Sequence, residues 1–225
     1  MVEWGGVAEA FYCITLRGAD TRRRKLAAEF ERVGLHDVQF IEVDRDHEDT
    51  RRGCFSSHRA AARRGLLEER QRVCIFEDDV VFSKCPKRLD RGVRAASAWL
   101  STSPSFSMLF LGHLPVRPLR RTGWRGIRGT ADSRYMHAYV LSREGMARMC
   151  LLAYKGRHVD YDVRRFPGKF AVLPMIAYQD DCVTTNNYSL YYTLVMNCRN
   201  LITCKTLCLF FEKTMRILGA RMAPI

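Results

Sequence analysis

Short apolar runs alternate with longer amphipathic stretches through the first half of the chain. Residues 11–16 (FYCITL) form a compact run of aromatic and aliphatic side chains, which predicts a buried strand. A basic turn follows at residues 17–21. Asp20 or Thr21 can then cap a helix that carries Leu26, Ala27, Phe30 and Val33 and is closed by Gly34. Alternation over residues 38–43 predicts a second strand, and the Ala- and Arg-rich stretch 54–70 predicts a helix. The run RVCIF at residues 72–76 reads as a further strand that ends in acids. Residues 86–100 predict a helix opening near Pro86 and carrying Val93, Ala96 and Trp99. Another strand, residues 106–111, stops at Gly112 and His113. Strands alternating with helices predict an α/β sandwich with a largely parallel sheet. Ligands of such sheets gather at the carboxyl ends of the strands.

Beyond residue 115 the pattern changes. Residues 115–129 are rich in Arg and Gly without periodicity and read as a long loop with the character of a mobile lid. HAYVL at residues 137–141 is strand-like, and Ser142 is placed to cap a helix containing Glu144, Met146, Ala147, Met149 and Leu152. Residues 170–174 suggest a last strand before Gln179, Asp180 and Asp181. From residue 197 one amphipathic helix is expected, with Leu201, Cys204, Cys208, Phe211, Met215 and Leu218 along one face. The expected organisation is one domain over residues 1–195 with a basic helical appendage over 196–225. That helix suits peripheral contact with an anionic bilayer, and equally packing on the domain or dimerisation.

The acids carry the candidate chemistry. Glu77, Asp78 and Asp79 follow one another at the end of an apolar strand and precede the apolar Val80, Val81 and Phe82. Carboxylates crowded there repel one another and lose hydration. A hard divalent cation such as Mn²⁺ or Mg²⁺ would relieve both effects, with a bound nucleoside diphosphate completing its oxygen shell. Taken alone, three acids in a row favour a solvated turn.

Charge and cysteine content narrow the setting. With 225 residues and a net charge of +13, the chain is expected to attract polyanions, whether nucleic acid, anionic membrane or phosphate-bearing substrates. It lacks an RNP-like aromatic motif, a zinc finger or a clear helix-turn-helix, so nucleic acid is the weaker partner class. The nine cysteines are irregularly spaced without a CxxC pair, which points to buried free thiols in a reducing compartment. No signal-peptide pattern opens the chain and no apolar run is long enough to span a bilayer. A cytoplasmic protein, peripheral at a membrane, is the expectation.

Four motifs, in order, resemble family 25 glycosyltransferases, which include bacterial lipooligosaccharide galactosyltransferases and collagen hydroxylysine galactosyltransferases. They are the opening Ile14, Thr15, Leu16 and Arg17 with Arg22 and Arg23; Gly53, Cys54, Phe55, Ser56, Ser57 and His58; Ile75, Phe76, Glu77, Asp78, Asp79 and Val80; and the stretch from His137 to Gly145 followed by Val159 and Asp160. The resemblance covers residues 11 to about 185. It implies a GT-A-type nucleotide-sugar-binding α/β/α sandwich and an inverting, Mn²⁺- or Mg²⁺-dependent transfer of galactose or glucose from a UDP-sugar to a hydroxyl of a glycan, glycolipid or protein. Asp79, with Glu77, would hold the metal. Thr15, Leu16, Arg17, Arg22, Ser57, His58, Glu77, Asp78, Gly112 and His137 would line the donor, and of the candidates Asp160, Asp162, Asp180 and Asp181 the first, with Asp180 close behind, would take the acceptor proton. For His58 a satisfied buried imidazole is as good a reading as a direct ligand. Arg51 and Arg52 depart from the family pattern, and the arginines of residues 117–128 match no family motif. A basic nucleic-acid-binding protein and an inactive family member that binds sugar nucleotide are the competing readings.

Overall fold

Strand β1 (Ala10–Leu16) sends Phe11 and Cys13 to one side and Tyr12 and Ile14 to the other, as the two-residue period of a strand requires. β3 (Arg72–Glu77) does the same, with Cys74 and Phe76 opposite Val73 and Ile75. This alternation divides the core into two apolar layers, each covered by helices. The computed structural model describes residues 2–115 and 118–180. The expected helix over 196–225, the acid Asp181 and the cysteines Cys182, Cys198, Cys204 and Cys208 lie outside the described residues.

The first layer is closed by α1 (Asp20–Arg32), through Leu26 and Phe30, and by α3 (Pro86–Leu100), through Leu89, Val93 and Ala96. Trp4, Phe30, Phe76 and Phe82 interlock there, with ring centroids 5.4–5.6 Å apart in three of their pairs. Burying each such ring contributes about 1.5–3 kcal/mol. The second layer is closed by α2 (Thr50–Leu67), α4 (Arg143–Leu151) and the short α5 (Val159–Val163).

With β2 (Val38–Val43), β5 (Met108–Phe110), β7 (Arg120–Arg121), β8 (Ile127–Gly129), β10 (Ala138–Ser142) and β11 (Lys169–Val172), these strands form one sheet in the order β2-β1-β3-β10-β5-β11-β8-β7. β1, β2, β3, β5, β11 and β7 run in one sense, and β10 and β8 in the other. The α/β/α sandwich is therefore as expected, with most strands sharing one direction and β10 set antiparallel in the middle. Two ribbons complete the fold: β4 (Val80–Phe82) with β12 (Ala177–Gln179), and β6 (Leu114–Pro115) with β9 (Ser133–Arg134).

Several local expectations are corrected. Neither Asp20 nor Thr21 caps α1; Ala19 occupies the cap without a side-chain bond, and Asp20 pairs with Arg23 one turn on. Gly34, at φ +76°, does end the helix, because only a residue without a Cβ takes that conformation readily. α2 begins four residues earlier than expected, since Asp49 accepts hydrogen bonds from the Arg51 and Arg52 amides (3.0 and 3.3 Å). The lid expected over 115–129 contains β7 and β8, which extend the main sheet: Ile127 is fully buried, and the Thr122 hydroxyl closes the turn by donating to the Ile127 carbonyl (2.7 Å). Ser142 caps α4 as expected, its Oγ accepting from the Gly145 amide at 3.1 Å.

Candidate functional site

The pairing register sets the site. Ile14 of β1 lies beside Glu77 of β3, so Thr15 and Leu16 reach past the strand end to the acidic turn. β10 runs against β3 with Ala138 opposite Phe76, which brings His137 to that same edge. The His137 carbonyl accepts from the Glu77 amide at 2.9 Å. β12 lies against β4 with Gln179 opposite Val80, and so lays Gln179 and Asp180 on Asp79. Segments far apart in sequence thus meet around three consecutive carboxylates.

Each acid has its own partners. Asp78 is the most tightly held: Arg22 donates to its Oδ1 at 3.0 Å, Thr15 to its Oδ2 at 3.5 Å, and the Leu16 amide also donates to the carboxylate. Both side chains of the Arg22–Asp78 pair are largely buried, at 20% and 15% exposure. Burial still outweighs Arg22 and, with Glu77 alongside, raises the Asp78 carboxyl above its ordinary range. Glu77 accepts from His58, with Nε2 and Oε1 2.9 Å apart. Burial pushes Glu77 up, but the hydrogen bond and positive potential of His58, with smaller contributions from His137 and His158, bring it below the usual value.

Asp79 is the least satisfied of the three. Its Oδ2 accepts from Gln179 Nε2 at 3.2 Å, and its backbone carbonyl accepts from the Asp180 amide at 2.7 Å. Its Oδ1 is shielded from solvent and, among the described residues, meets no hydrogen-bond donor. Burial first, then the charges of Glu77 and Asp78, hold this carboxyl well above the ordinary range. An oxygen set up in this way fits a cation, so the residues present suit a hard divalent ion.

The remaining candidates divide. His58 is completely buried between Glu77 and the Tyr139 hydroxyl (2.7 Å from Nδ1), so both of its ring nitrogens have partners. Burial opposes its charge, but Tyr139, Cys54 and Glu77 together hold the ring well above its usual pKa. Gly112 packs against His137, where a Cβ would stand 2.1 Å from Nε2 and 2.4 Å from the Ala177 carbonyl oxygen. Asp160 is recessed near Glu77 and His58, its Oδ2 accepting from the Tyr135 amide at 3.0 Å. Burial raises its carboxyl, partly countered by that amide. Tyr135 itself stands at φ +68°, a left-handed conformation costing a non-glycine residue about 1–2 kcal/mol.

Arg17 and Ser57 do not join the site. Arg17 is exposed and pairs with Asp44 (2.9 Å) and Glu42 (3.5 Å), while Ser57 donates to the Gly53 carbonyl one turn back (2.7 Å). Arg52 is likewise held on the surface by Asp46 (2.6 Å) and Glu48 (2.9 Å). Gln179 and Tyr139 belong to the site without having been expected there. Tyr139 sits inside a motif stretch and Gln179 next to Asp180, but neither residue type signals a role without its partner.

No protein-family model and no curated protein matches the chain, so the family 25 resemblance rests on its four motifs. Among solved structures, the chain is similar to A197 from STIV, at 11% identity and a TM-score of 0.46, over 76% of this chain and 84% of that one. It is also similar to a glycosyltransferase involved in the glycosylation of the major capsid of PBCV-1, at 6% identity and a TM-score of 0.35, over 73% of this chain and 93% of that one. Similarities of this size assign no residue a role, and the chemistry of the site rests on its own geometry.

Proposed function

We propose that the protein is an inverting, divalent-cation-dependent glycosyltransferase that uses a UDP-sugar, with galactose or glucose as the sugar. One observation carries the reading: the motif residues Thr15, Leu16, Arg22, His58, Glu77, Asp78, Asp79 and His137 converge on one edge of the sheet, around an Asp79 oxygen that has no donor among the described residues. Asp79, with Glu77, would hold Mn²⁺ or Mg²⁺. The ion, when bound, would supply Lewis-acid neutralisation of the departing diphosphate.

The chain's own residues prepare that position. Arg22, Thr15 and the Leu16 amide hold Asp78 in place at the turn. Buried His58 orients Glu77, and Gln179 orients Asp79. Asp160 is the preferred general base for the acceptor hydroxyl: burial lifts its carboxyl toward the range in which proton removal is efficient. Asp180, beside Asp79 through its amide, is the second candidate. Asp162 is set aside, because Arg157 Nε donates to its buried carboxylate at 3.1 Å. The acceptor would be a hydroxyl of a glycan, glycolipid or protein, and peripheral membrane contact belongs to the same proposal. Among the described residues no helix is long and apolar enough to cross a membrane.

The test is UDP release from a panel of UDP-sugars with and without Mn²⁺. Mn²⁺-dependent hydrolysis of one donor, absent in Asp79→Ala, is the expected result. Undiminished turnover in that variant would remove the metal role from Asp79.

A further inference from the structure

α2 places Cys54 and His58 four residues apart, on one helical face, and β3 brings Glu77 up to them. One ligand atom from each residue, a thiol sulfur, an imidazole nitrogen and a carboxylate oxygen, lies within 4.8 Å of the other two. Glu77 thus belongs both to the acidic run and to this second group.

We propose that Cys54, His58 and Glu77 form a binding site for a divalent transition-metal ion of the zinc class, which shares Glu77 with the hard-cation position at Asp79. Thiolate and imidazole donors select zinc over magnesium or manganese. Three protein ligands are the number that zinc sites with an open fourth position use.

The surroundings support the assignment. His58 is fully buried, so its ring orientation is fixed. Tyr139 Oη lies 2.7 Å from Nδ1, where it can accept from Nδ1–H and leave Nε2 as the ligand atom. An oxygen partner on the other ring nitrogen is the usual outer support of a metal-bound imidazole. Nε2 already stands 2.9 Å from Glu77 Oε1, so a bound ion would replace that hydrogen bond as the two side chains part by a few tenths of an ångström. Cys54 is a free, half-buried thiol and the Glu77 side chain is 24% exposed, which gives an ion access from the solvent side. This local geometry supports the site independently of the proposed transfer reaction.

Chelator-stripped protein titrated anaerobically with Co²⁺ alone tests it. A near-ultraviolet cobalt–thiolate charge-transfer band, saturating at one ion and displaced by Zn²⁺, is expected. Cys54→Ser should lose the band, Asp79→Asn should keep it, and Tyr139→Phe should weaken the affinity about tenfold or more. In the unaltered protein Zn²⁺ should also protect Cys54 from alkylation, read by peptide mass spectrometry, which gives a result even if a variant folds poorly. Absence of a thiolate band, a band that survives Cys54→Ser, or alkylation of Cys54 indifferent to Zn²⁺ would each overturn the proposal.

Discussion

Neighbouring side chains of one chemical type differ here according to what holds them. Asp78 is fixed by Arg22, Thr15 and a backbone amide, whereas Asp79 keeps one shielded oxygen without a donor among the described residues. Tyr12 shows the same principle away from the site. Its hydroxyl donates to Glu68 Oε2 at 2.8 Å, and burial, then that bond and the Glu68 charge, push its pKa up to about 12. The unfolded chain gives up this proton near pH 10. Between about pH 10 and 12 the unfolded state therefore binds fewer protons than the folded one, and stability falls as pH rises; below pH 10 the contribution is whole. Tyr12→Phe should cost about 1 kcal/mol at neutral pH and flatten the alkaline decline, measured by denaturant unfolding at pH 9 and 11. An unchanged alkaline slope would show that Tyr12 does not titrate with folding. At this scale the sequence marks the acids plainly, because three carboxylates at an apolar strand end are conspicuous. It cannot mark which of them Arg22 takes, since Arg17, Arg22 and Arg23 are alike on paper and only the twist of α1 over the strand ends selects among them.

Elements were legible where one period ran uninterrupted and were missed where pairing decides. The helix at 86–100 and the strand at 38–43 appear as expected, each with a clean pattern of its own. β7 and β8 have too few residues to show a period; β8 is a strand because Phe170, Ala171 and Val172 of β11 offer it an edge, and β7 because β8 in turn offers one to Arg120 and Arg121. The antiparallel setting of β10 is likewise invisible in HAYVL, yet it is what delivers His137 and Tyr139 to the site. Close contact between elements gives a direct test. α4 crosses so near to the backbone before β5 that a Cβ on Gly145 would lie 1.9 Å from the Ser107 carbonyl oxygen. Gly145→Ala should destabilise by about 3 kcal/mol, at the upper end of overpacking because the obstacle is main chain. Gly123→Ala, with nothing within 4 Å of the added carbon, should change stability by less than about 0.5 kcal/mol. Equal midpoints in thermal unfolding would contradict the packing described for α4.

For the whole molecule, the net charge of +13 is the basic excess that remains after every carboxylate is set against a base. Arg17, Arg23, Arg32, Arg52, Arg64, Arg94 and Arg148 each pair with a carboxylate, and exposed pairs of this kind add little stability while neutralising local field. What distinguishes the fold is where it leaves carboxylates crowded: at the carboxyl edge of a sheet whose strands mostly share one direction. We propose that this edge binds a cation and a diphosphate, with Asp79 at its centre. Calorimetric titration of UDP into the protein and into Asp79→Asn, each with and without Mn²⁺, tests it most directly. Mn²⁺ should tighten UDP binding at least tenfold, about 1.4 kcal/mol, in the unaltered protein and not in Asp79→Asn, whose unfolding midpoint should be unchanged or higher because one repelling charge is gone. UDP affinity indifferent to Mn²⁺ in the unaltered protein, or an Mn²⁺ effect that survives in Asp79→Asn, would contradict it.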